Sequence, residues 1–187
     1  MSVLGELQPN KVFKYFEEIC SIPHGSRNLQ QISDYLVDFA KAHELKYRQD
    51  EDLNVIIWKD GSKGYEASEP VILQGHMDMV AVKEADCDKK KKKEGLDLEI
   101  NGDYISAKGT SLGGDDGIAV AYTLAVLDDE EMAHPPIEAI FTVNEEIGML
   151  GAATIDVSDL KGRLFMNMDS EDEGVFTVSC AGGASVI

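Results

Sequence analysis

A His-x-Asp, a glycine-framed Asp, a double Glu and a late Asp are spread along this chain as His76-Met77-Asp78, Asp115, Glu145-Glu146 and Asp169. Imidazole and carboxylate donors in that mixture suit zinc, manganese or cobalt rather than a thiolate zinc finger. Two such ions about 3.5–4 Å apart need a bridging carboxylate and a shared hydroxide. The chemistry suggested is metal-assisted attack of water on an amide. The donors fall one short of two complete metals, so the sequence is expected to be part of a longer enzyme.

Each piece has a plainer reading beside the functional one. On extended backbone, residues i and i+2 project to one face. The Asp78 carboxylate is therefore expected to receive the His76 ring N–H, fix its tautomer and leave the other nitrogen for a metal; the pair could equally be a hydrogen-bonded strand end. Asp115 follows Leu112-Gly113-Gly114 and precedes an apolar run. It could cap a helix or place one oxygen on each of two cations. Adjacent residues on extended chain point to opposite sides, so one of Glu145 and Glu146 would bind metal and the other face substrate as general base. Asp169 is the best ligand candidate of an acidic run whose later members, Glu171, Asp172 and Glu173, read as solvated loop. His24, His43 and His134 are read as structural or surface residues. GxGxxG and a Walker lysine are both absent, which sets aside phosphate-loop chemistry.

Hydrophobic periodicity supplies the elements that would position these groups. Helices are predicted over residues 9–20, 29–43 and 118–127, and strands over 54–58, 71–73, 137–143, 164–168 and 175–179. A hairpin over 98–107 turns at Asn101-Gly102. Residues 85–95, with the lysine run 89–93, read as a charged loop. Strands alternating with helices imply an α/β layered fold around a central sheet. Three of the chemical groups fall at the ends of three apolar strands, where open α/β sheets bind ligands.

Bulk properties narrow the classes. At 187 residues and 43% hydrophobic, with a mean hydropathy of −0.19, the chain can bury the core of one globular domain. A formal net charge of −18 disfavours nucleic acid and anionic membranes as partners. No apolar stretch nears the roughly 18–20 residues of a membrane span. Cys20, Cys87 and Cys180 are odd in number and show no CxxC spacing, which fits inert thiols in a reducing compartment. A cytoplasmic protein is expected.

The strings Ser21-Ile22-Pro23-His24, Gln74-Gly75-His76-Met77-Asp78-Met79-Val80, Gly109-Thr110-Ser111-Leu112-Gly113-Gly114-Asp115-Asp116-Gly117, Glu145-Glu146-Ile147-Gly148-Met149, Met168-Asp169-Ser170-Glu171 and Cys180-Ala181-Gly182-Gly183 occur in that order. Together they resemble the di-zinc metallopeptidase family, in its aminoacyl-histidine dipeptidase branch. The resemblance implies a layered α/β/α zinc-peptidase catalytic domain with a central mixed sheet. Residues 1–187 would be its N-terminal portion, lacking the lid domain and the C-terminal half. It implies two zinc ions, with His76 and Asp169 on the first, Glu146 on the second, Asp115 bridging, Asp78 orienting His76 and Glu145 as general acid/base. A further His in the absent portion would complete the second metal. The implied substrate is a small peptide, an Xaa-His dipeptide, and the full-length enzyme would be a homodimer. A tripeptidase or other exopeptidase of the family, or an inactive metal-binding fragment, are the alternatives.

Overall fold

In a computed structural model, which describes residues 2–90, 93–170 and 174–179, helices α1 (Asn10–Cys20) and α2 (Gln30–Ala42) lead into strands β1 (Lys46–Gln49), β2 (Val55–Lys59) and β3 (Val71–His76). The hairpin β4 (Leu98–Asn101) and β5 (Tyr104–Ala107) follows, then α3 (Gly114–Leu127), β6 (Ile137–Thr142), α4 (Leu150–Thr154) and β7 (Leu164–Asn167). Five strands form one mixed sheet in the order β1-β2-β6-β3-β7. The expected α/β fold with a central mixed sheet is present.

The registers explain where the chemistry collects. β1, β2 and β6 run antiparallel to one another in turn. β6, β3 and β7 run parallel, with Thr142 beside His76 and Asn167 beside Gln74. Their C-terminal ends therefore lie side by side on one edge of the sheet. Parallel strands need crossovers; α3 supplies the link from β3 toward β6.

The core sits between the sheet and α1, α2 and α3. Val55, Ile57, Leu73, Ala139 and Phe141 point from the strands into a cluster with Phe16, Ile19, Ile32, Leu36, Val120 and Leu124. The stripes of α1 and α2 follow the 3.6-residue period read from the sequence. On the other sheet face, Glu138 is buried and its carboxylate accepts the Lys161 and Gly162 main-chain N–H groups at 2.9–3.0 Å. That contact fixes the entry to β7, and so the strand that leads to Asp169. Gly75 lets α3 approach β3: a Cβ there would lie 2.9 Å from the Asp116 carboxylate and 3.2 Å from Ala119.

Several expectations are corrected. Val175, Phe176 and Val178 lie in an exposed segment without strand structure; β-branched residues alone do not make a strand without a neighbour to pair with. β1 and α4 were not foreseen. The hairpin turns on Gly102-Asp103, with Gly102 at φ +63°, and Asn101 belongs to β4. Glu171, Asp172 and Glu173, part of the lysine run, and the Cys180 to Gly183 string lie outside the described residues.

Phe141 is fully buried at the centre of the sheet. Phe141→Ala is expected to cost about 3–5 kcal/mol, measured as a lowered denaturant midpoint with the far-ultraviolet dichroism of the native state retained.

Candidate metal centre

His76 is the last residue of β3 and 1% exposed. Its ring is fixed on one side. Nδ1 lies 2.9 Å from the Asp78 main-chain carbonyl and 3.6 Å from the Asp78 carboxylate. The hydrogen bond thus goes to the carbonyl, not to the carboxylate as the i, i+2 argument supposed; β3 ends at His76, so strand alternation no longer holds at Asp78. Nε2 is left facing the acidic groups, 3.1 Å from Asp115 Oδ1 and 3.9 Å from Glu145 Oε2.

The Asp78 side chain has another task. Its Oδ2 accepts the Ser26 hydroxyl at 2.7 Å and its Oδ1 accepts the Glu145 main-chain N–H at 2.9 Å. Burial raises this carboxyl, but those hydrogen bonds and the neighbouring His76 outweigh it and hold its pKa below the usual value. Asp78 is therefore an anion that ties the end of β3 to the loop after β6. Arg27 adds a parallel tie, its main-chain N–H donating to Asn144 Oδ1 at 2.8 Å.

Asp115 and Asp116 stand in the first turn of α3 with non-helical backbone angles. The helix-cap reading of Asp115 does not hold: Gly113, at φ +71°, occupies the cap position and no side chain caps the helix. The same glycine allows close approach, since a Cβ there would lie 2.7 Å from Met79 Sδ. The Asp115 side chain is 73% exposed and available to ligands, whereas Asp116 is 1% exposed and accepts the His76 main-chain N–H at 3.0 Å.

Two sets of donor atoms lie within 4.8 Å of one another: His76, Asp115 and Glu146, and His76, Asp116 and Asp169. All six residues singled out in the sequence, His76, Asp78, Asp115, Glu145, Glu146 and Asp169, meet at the shared strand edge. Asp116 was passed over; the Asp-Asp doublet was the available signal. Ser26 and Asn144 carried no signal of their own. His24 is buried with Nδ1 2.6 Å from the Ile22 carbonyl, and burial lowers its pKa.

The electrostatics describe a site with surplus negative charge. Burial, followed by the charges of Asp169 and Asp115, raises Asp116 to about 8 against the opposing pull of His76. Burial and Asp115 raise Glu146 and Asp169 as well. Burial opposes charging of His76, but Asp78, Asp116 and Asp169 overcome it and raise the imidazole to about 9. Like charges this close hold one another's protons, and a divalent cation satisfies the same carboxylates without them.

Comparison with known proteins gives the same direction. No family model matches the chain. It is 40% identical over 183 residues to the cytosol non-specific dipeptidase of Escherichia coli, a match covering 98% of this chain and 38% of that protein. It superposes on the aminoacylhistidine dipeptidase of Vibrio alginolyticus with a TM-score of 0.88 and 40% identity, over 91% of this chain and 35% of that one. Aminopeptidase PepT of Bacillus cereus shares the fold, with a TM-score of 0.74 at 21% identity, over 89% of this chain and 44% of that one. The chain thus spans little more than a third of the length of the two dipeptidases. Along almost its whole length the chain is thus similar to a portion of these two dipeptidases, and it shares the fold of the Vibrio alginolyticus enzyme over that portion.

Proposed function

We propose that residues 1–187 are the N-terminal portion of a cytoplasmic dipeptidase catalytic domain that hydrolyses dipeptides, those of the Xaa-His type among them, with two zinc ions. The observation that carries this reading is the meeting of one buried imidazole and five carboxylates at the ends of three adjacent parallel strands, in a chain 40% identical to a named dipeptidase. The donor set fits the group: His76 Nε2 is oriented outward by the bond at Nδ1, and Asp116, Glu146 and Asp169 are raised by crowding that a cation would relieve. Manganese or cobalt suits the same donors.

His76 and Asp169 would hold the first ion and Glu146 the second, with the exposed Asp115 carboxylate shared between them. Counted this way, the first ion would have three of these donors and the second two. Asp116 fixes the His76 backbone through the main-chain N–H it accepts. When bound, the ions supply Lewis acidity, which lowers the pKa of a water and polarises the substrate carbonyl. Glu145 takes the proton of the attacking water and returns it to the leaving amine. Asp78 holds the Glu145 main chain in register with His76, so base and ligand keep a fixed spacing. The Cytosol name of the Escherichia coli relative supports the compartment, as does the lack, among the described residues, of a helix able to cross a membrane.

Three outcomes are expected. In the intact enzyme, Glu145→Gln lowers dipeptide turnover by about 10²–10⁴-fold while zinc content by atomic absorption stays at the wild-type level; unchanged turnover removes Glu145 from the mechanism. The second outcome concerns the metal-free chain. His76 moves from 6.5 up to about 9 and Asp116 from 3.8 up to about 8, so the folded chain keeps protons that the unfolded chain has released. Stability therefore falls as pH rises through 6.5 to about 9, with Asp116 contributing below about 8. Urea midpoints that climb across that window contradict the assignment. Third, metal must displace those protons, so zinc affinity rises over the same window and calorimetry in buffers of different ionisation enthalpy records proton release.

A further inference from the structure

Glu145 and Glu146 ride on the loop between β6 and α4, and the group that closes the base of this loop stands just before a different strand, β2. Asn54, immediately before β2, is 1% exposed. Its Oδ1 accepts the Val143 main-chain N–H at 3.1 Å, and its Nδ2 donates to the Gly151 carbonyl at 3.3 Å. Between those two residues, the Gly151 N–H donates to the Val143 carbonyl at 2.9 Å. A single carboxamide therefore bonds both ends of the loop that carries the two glutamates.

We propose that Asn54 is a positioning residue for the Glu145-Glu146 pair, holding the 143–151 loop closed from outside the site. The inference rests on the reading of Glu145 as acid/base and Glu146 as ligand. The chemistry at position 54 is exacting. It needs an acceptor for Val143 and two donors, for Gly151 and Asp50, on one short side chain, and a carboxamide of this length offers all three where a hydroxyl has a single donor. The second Nδ2 hydrogen goes to Asp50 Oδ2 at 2.8 Å, and Asp50 Oδ1 accepts the Asn54 N–H at 2.8 Å, so the amide orientation is fixed. Gly151 leaves no slack: a Cβ there would lie 2.4 Å from Asn54 Oδ1 and 2.6 Å from the Val143 carbonyl.

Inside the loop, Gly148 and Met149 N–H groups donate to the Glu145 carbonyl at 2.9 Å, and Leu150 N–H donates to the Asn144 carbonyl at 3.2 Å. At its outer side the Glu145 N–H is held by Asp78. The loop is thus a small closed body with two attachments, Asp78 at the site and Asn54 at its base. Catalytic groups must be held within about 0.5 Å of productive geometry, and a body attached at one point only can pivot.

The test is amide hydrogen exchange on the metal-free chain, read residue by residue by NMR. In Asn54→Ala, the amides of Glu145, Gly148, Met149 and Gly151 are expected to exchange at least about tenfold faster while those of α1 and α3 keep their rates. Unchanged loop rates overturn the proposal. A uniform acceleration across sheet and helices also overturns it, because Asn54 would then only stabilise the fold. If that variant does not fold, the double substitution Asp50→Asn with Asn54→Asp exchanges donor and acceptor within the pair. It keeps an oxygen for Val143 but removes the donor to Gly151. Protection at Gly148, Met149 and Gly151 is expected to be lost while β1 and β2 keep theirs; wild-type protection of the loop overturns the role. A chain whose loop responds but which takes up no zinc refutes the metal reading and leaves the Asn54 assignment standing.

Discussion

Parallel pairing of β6, β3 and β7 is the constraint on which the rest of the structure depends. Once His76 is in register with Thr142 and Gln74 with Asn167, whatever follows each strand must emerge at the same edge. The segments that follow carry Asp78, Glu145, Glu146 and Asp169. Their convergence is therefore a consequence of strand register, not of local sequence. The register is secured by groups remote from the chemistry: Phe141 and its neighbours in the core, and the Glu138 carboxylate that holds the approach to β7.

That convergence sets a conflict. Carboxylates brought together beside a buried imidazole repel one another, and the site responds by retaining protons on His76 and Asp116. The same repulsion is what makes the arrangement a receptor for divalent cations. Asp78 escapes, because two donors, the Ser26 hydroxyl and the Glu145 N–H, and the charge of the nearby imidazole favour its charged form. It is the fixed anion against which the exchangeable ones are placed, and it links the histidine segment to the glutamate segment.

Much of this was legible in the residues. Apolar runs ending in His76, in Glu145-Glu146 and in Asp169 gave three strands and their chemical ends; β3 and β6 are buried, as the near-continuous apolar sequence of a parallel strand requires, whereas β7 is exposed. β1 was not legible: Lys46, Tyr47, Arg48 and Gln49 lack apolar alternation, and this edge strand exists through its main-chain pairing with β2. α4 is five residues with a glycine, too short to show a period. Val175 to Ser179 failed in the opposite sense, with strand-forming residues but no strand in the structure. At the site, the Asp-Asp doublet hid which carboxylate is buried. Gly113 decides that by placing the turn, and burial of Asp116 against Gly75 follows from the packing of α3 on β3.

The central claim is that the clustered donors are a metal site in which Asp115 takes part. The most direct measurement is a zinc titration of the metal-free chain by calorimetry, beside its Asp115→Asn variant. One tight site in the wild-type chain that is weakened or lost in the variant is the predicted result. Identical isotherms, or no specific binding to the folded wild-type chain, would contradict it.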